Sequence, residues 1–79
     1  MSTVRIDFIN SGSETVQVFH KKSQTTDESK FLASNGQITS ITSEMNTTYD
    51  FRFVLGDDVK YDTITFSSDK TVDVWKYFA

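Results

Sequence analysis

The groups in this chain that can carry chemistry are few. His20 is the sole histidine and is followed by Lys21 and Lys22. A nucleophilic triad needs an imidazole oriented by a carboxylate and touching a hydroxyl or thiol. Neighbouring ammonium groups do not supply that orientation, and cysteine is absent. A strand-end histidine at the surface is the simpler expectation. Asp57, Asp58 and Asp62 fall at and just beyond one turn, where calcium gathers carboxylate and carbonyl oxygens. The Asp-x-Asp-x-Asp rhythm and closing glutamate of an EF-hand are missing, so an acidic turn that keeps the chain soluble is expected and no metal site. Glu14, Glu28 and Glu44 stand in different turns, and paired-carboxylate catalysis would require two of them to converge. No glycine-rich loop precedes a helix to cradle phosphate. The expectation is a protein that is not an enzyme and holds no cofactor.

The aromatic residues carry more information. In KTVDVWKYFA, residues 70–79, strand alternation puts Val72, Val74 and Phe78 on one side and Trp75 and Tyr77 on the other. Phe19 and Tyr61 are likewise out of phase with the aliphatic positions of their own runs. Four such side chains on neighbouring strands would form an exposed aromatic patch, the kind that marks an interaction site. Lys76 argues otherwise, because it shares the phase of Val72, Val74 and Phe78. A bulge near Val74 would turn Trp75 and Tyr77 inward and Lys76 outward. The sequence leaves open whether Trp75 and Tyr77 are surface or core.

The elements that must position these residues are strands. Alternation rich in β-branched and aromatic residues recurs from end to end, bounded by Gly, Asn, Asp or Ser. TVRIDFI (3–9) has Val4, Ile6 and Phe8 in phase. NSGS (10–13) then reads as a turn with Gly12 free to take positive φ, and ETVQVFHK (14–21) as the second arm of a hairpin. Thr25 to Glu28 fits a capping box, so a short helix near 26–34 competes with a strand. The strand reading is preferred, because Asn35-Gly36 before QITSIT is a strong hairpin signal. TTYDFRFVL (47–55) is the clearest strand, with Tyr49, Phe51, Phe53 and Leu55 facing the core. VKYDTITF (59–66) and TVDVWKYF (71–78) follow.

The fold class expected is all-β: a small antiparallel β-sandwich, immunoglobulin-like or transthyretin-like, of six or seven short strands in one domain spanning 1–79. Its core would comprise Val4, Ile6, Phe8, Val16, Val18, Leu32, Ile38, Tyr49, Phe51, Phe53, Leu55, Ile64, Phe66, Val72, Val74 and Phe78. The pattern from Phe8 to Phe53 combines an asparagine-ended first strand, a Val-x-Val second strand, a leucine before a glycine turn and an aromatic strand. It resembles the β domain of the von Hippel-Lindau family over roughly half of the chain. That family's Tyr, His and Trp pocket residues are missing at the matching places, so the resemblance implies no site residue and no function here.

Composition bounds the partners. A chain of 79 residues without cysteine must build its core from large side chains, and seven Phe among 14% aromatics supply the area. A net charge of −3 disfavours nucleic acid and anionic membranes over most of the surface. No apolar run is long enough to span a bilayer, and residues 1–15 lack the features of an export signal, so a cytoplasmic location is expected. The Asn46-Thr47-Thr48 sequon reads as chance. The functional expectation is a non-enzymatic protein-binding or self-assembly module. It would use a sheet face or edge near the C-terminal strand, with Phe19, Tyr61, Trp75 and Tyr77 as contacts to a protein partner or a second copy. The alternative is a lectin-like domain stacking carbohydrate on exposed aromatics.

Overall fold

The computed structural model describes residues 2–79. Seven strands run β1 (Thr3–Ile9), β2 (Val16–Lys22), β3 (Ser29–Ala33), β4 (Thr39–Glu44), β5 (Thr47–Leu55), β6 (Asp58–Phe66) and β7 (Lys70–Asp73), followed by a 3₁₀ turn, Val74–Tyr77. They form two sheets, one in the order β4-β1-β7 and one in the order β3-β2-β5-β6. The fold is the expected small β-sandwich, antiparallel in every pairing but one: β1 and β7 run parallel, with Ile6 opposite Lys70 and Phe8 opposite Val72. Among the described residues no helix is long and apolar enough to cross a membrane.

The core lies between the sheets. Val4, Ile6 and Phe8 from β1, Val16 and Val18 from β2, Phe51 and Phe53 from β5, and Ile64 and Phe66 from β6 are buried together with Ala33 and Val74. Ring contacts run from Phe8 to Phe51 at 5.2 Å and from Phe51 to Phe53 at 5.9 Å. At about 25 cal/mol per Å² of apolar surface removed from water, such side chains supply most of the stabilisation open to a small domain.

The predicted connections differ. The first two strands do not form a hairpin: β1 pairs with β4 and β7, whereas β2 pairs with β3 and β5. Asn10 explains the detour. It is buried, its side-chain amide donates to the carbonyls of Glu14 and Ala33 at 2.8 Å, and its Oδ1 accepts from the Gly12 amide at 2.8 Å. One side chain thus takes up backbone groups that a tight hairpin would have paired, and the chain arches from one sheet to the other. Asn35-Gly36 makes a second arch between sheets. Gly36 does take positive φ, at 83°, but the Asn35 amide donates to the Asn10 and Gly12 carbonyls at 3.3 and 3.0 Å. The tight hairpin in the chain is β5–β6, closed by Gly56 at φ 58° with Leu55 opposite Asp58.

Residues 29–33 form a strand, which bears out the preferred reading over the competing helix near 26–34, and two further expectations are corrected. Within β3 the inward phase belongs to Phe31 and Ala33, which leaves Leu32 53% exposed, and Ile38 is 67% exposed in the arch that follows. His20 is half-buried on the inner side of β2, its ring 5.7 Å from Phe31 and 5.9 Å from Phe51.

Candidate functional site

The structure divides the four predicted contact residues into two pairs. Trp75 and Tyr77 belong to the body of the protein. The strand stops at Asp73, whose carboxylate accepts from the Trp75 and Ser11 amides at 3.1 Å each and so caps the 3₁₀ turn. Desolvation pushes the Asp73 carboxyl up, but the hydrogen bonds from Ser11 and Trp75 and the Lys76 charge outweigh it, leaving the group below the ordinary carboxylate range. The turn buries Val74, points Lys76 to solvent and brings Trp75 and Tyr77 back onto the core. A turn, not a bulge, thus brings these two side chains inward. Trp75 packs so closely on Gly12 that a Cβ there would fall 1.9 Å from its ring. Gly12 is needed for that approach and not for positive φ, which it does not adopt. Tyr77 stacks on Phe53 at 4.1 Å.

Phe19 and Tyr61 do share a face. Pairing across the larger sheet sets Lys30 beside Phe19, Phe19 beside Arg52 and Arg52 beside Tyr61, one row over four strands. The Arg52 guanidinium lies 3.8 Å over the Phe19 ring, with Lys30 Nζ at 5.7 Å. The neighbouring row is Leu32, Gln17, Val54 and Val59. The row on the other side runs Lys21, Asp50 and Thr63. Leu32 is 53%, Val59 40% and Tyr61 74% exposed. One end of the face is thus apolar and aromatic, and the other carries ion pairs: Arg52–Glu28 at 2.9 Å and Lys21–Asp50 at 3.7 Å. Between them an open cleft of about 410 Å³ is lined by Lys21, Glu28, Asp50, Arg52, Tyr61 and Thr63.

The outer face of the other sheet offers a contrast. It presents Arg5, Asp7, Ser40, Thr42 and Thr71, with the half-buried Ile9 in the same phase of β1. Ser40 Oγ donates to Asp7 at 2.6 Å and Arg5 Nε lies 3.3 Å from Asp7.

Sequence reasoning missed Leu32, Val54, Val59 and Arg52 as members of the face. Leu32 was assigned to the core, and Val54 and Val59 gained significance only when the register brought them together. His20 is turned toward Phe31, Tyr49 and Phe51, and burial lowers its pKa while Glu28 raises it in part. Among the described residues no three His, Cys, Asp or Glu side chains gather as metal ligands. Asp62 is taken up by Tyr77, whose hydroxyl donates to it at 2.5 Å. No family model, curated protein or solved structure matches this chain.

Proposed function

We propose that the chain is a non-enzymatic recognition module that engages a protein partner through the outer face of β3-β2-β5-β6. The observation that carries this reading is the difference between the two outer faces. One is mostly polar and displays no exposed large apolar side chain; the other displays Leu32, Val59 and Tyr61 to solvent around Arg52 and Phe19. Exposed apolar area rimmed by charges marks contact surfaces, and Tyr and Arg are the residue types that most often dominate binding energy there. The test compares capture from the native source by the wild-type protein, by Leu32→Ser with Tyr61→Ser, and by Thr42→Glu on the polar face. A protein retained by wild type and Thr42→Glu but lost with the double variant, at unchanged melting temperature, supports the reading. Equal retention by all three removes it.

The cleft beside Tyr61 favours a second reading, carbohydrate binding, because a sugar ring stacked on an exposed phenol would find Asp50, Glu28 and Lys21 within the same 410 Å³ space. Titration with neutral oligosaccharides, followed by the Tyr61 ring signals in NMR, distinguishes the two. Trp75 fluorescence would report poorly, since that ring sits against Gly12.

A further inference from the structure

β6 is a nine-residue strand at the edge of its sheet, paired on one side with β5. Val59, Lys60, Tyr61, Thr63 and Thr65 along it are exposed. The Thr63 amide donates 2.8 Å to Asp62 Oδ1, not into the β5 ladder. Its backbone, and by alternation that of Val59, Tyr61 and Thr65, is therefore directed to the open side of the strand. Consistent with this, the Thr65 carbonyl accepts from Ser67 at 2.9 Å. An edge of this length normally pairs or is guarded, and here the Asp62 carboxylate guards one amide.

We propose that β6 pairs antiparallel with β6 of a second copy, about a two-fold axis through Tyr61, joining the two four-stranded sheets edge to edge. Charge selects this register. With Tyr61 on the axis, Lys60 of each copy lies opposite Asp62 of the other, and the pair occurs twice. Shifting the axis by one residue either way sets Lys60 against Lys60, or Asp62 against Asp62. The exchange of partners also balances. The Thr63 amide leaves Asp62 Oδ1 for the Val59 carbonyl of the second copy, and the released oxygen receives the second copy's Lys60 ammonium. Asp62 Oδ2 keeps its bond from Tyr77. The contact uses the backbone edge of the sheet; Tyr61, at its axis, belongs also to the recognition face, whereas Lys60 and Asp62 lie in the opposite phase of the strand.

Sedimentation velocity over a wide concentration range tests it. Wild type should move from monomer toward dimer as concentration rises. Lys60→Glu and Asp62→Lys should each remain monomeric, because like charges then oppose one another, while an equimolar mixture of the two variants should dimerise, since both cross-strand pairs are again of opposite sign. Thr63→Pro should also stay monomeric with its fold retained, because the amide it removes is not part of the β5–β6 ladder. The proposal is overturned if wild type stays monomeric throughout, if Lys60→Glu or a folded Thr63→Pro dimerises as wild type does, or if the mixture of charge variants fails to associate while both are folded.

Discussion

The Tyr77 hydroxyl donates to Asp62 at 2.5 Å, tying the 3₁₀ turn after β7 to the edge strand of the other sheet. Burial and the adjacent carboxylate both raise the Tyr77 pKa well above the ordinary phenol value. A folded-state pKa above the unfolded one means that this contribution is fully present below pH about 10, the unfolded tyrosine value, and is lost as pH rises through the folded value. Tyr77→Phe should lower stability by about 1 kcal/mol at neutral pH. It should also flatten the alkaline fall in melting temperature. An alkaline limb identical in wild type and variant would show that the contact carries no such linkage.

Gly12 and Trp75 predict a coupled pair. Gly12→Ala places a methyl inside the Trp75 ring and should destabilise by about 1 to 3 kcal/mol, as overpacking does, while red-shifting the tryptophan emission as the ring is displaced. In a background of Trp75→Ala the same glycine substitution should cost much less, because the obstructed ring is gone. Additive effects in chemical denaturation would contradict the close approach.

His20 controls the acid side. Burial lowers its pKa, partly offset by Glu28, so the folded state prefers the neutral ring. That preference contributes fully above pH about 6.5, the unfolded value, and is lost as pH falls through the lower folded value. His20→Phe should retain more of its neutral-pH melting temperature at pH about 5 than wild type does. A parallel decline in both proteins would count against the half-buried imidazole.

Leu32 and Phe51 make a contrast that checks the faces. Phe51, 2% exposed, should cost about 3 to 5 kcal/mol when cut to alanine. Leu32, 53% exposed, should cost no more than about 0.5 kcal/mol. Denaturant midpoints would reveal a reversed phase in β3 if the Leu32→Ala loss approached that of Phe51→Ala.

Particular residues show what the sequence could and could not reveal. β5 was legible to the residue, Thr47–Leu55, because Tyr49, Phe51, Phe53 and Leu55 alternate with Asp50 and Arg52 and admit one phase. β3 was not, since Phe31 and Ala33 compete with Leu32 and alternation cannot choose between two apolar phases. The arches escaped because NSGS and Asn-Gly carry ordinary hairpin chemistry. What redirects them is the reach of the Asn10 and Asn35 side chains across the sandwich, a tertiary property. At the C-terminus a signal was present: aspartate is a strong cap, and Asp73 before Val74-Trp75 marks the turn that overrides the alternation. Of the face, Phe19 and Tyr61 were legible from their phase. Its apolar neighbours were not, because register across four strands is not written in any one of them.

The parallel contact between β1 and β7 bears on how the protein acquires its structure. β1 is the central strand of its sheet, and its two neighbours are supplied by residues 39–44 and 70–73. Closing those pairings requires the intervening segments 10–38 and 10–69, long-range contacts that are costly to form early. Refolding should therefore be slow for so small a protein, in the millisecond-to-second range typical of β-sandwiches. During synthesis, one backbone edge of β1, along Ile6 to Ile9, would remain unpaired until residues 70–73 have left the ribosome.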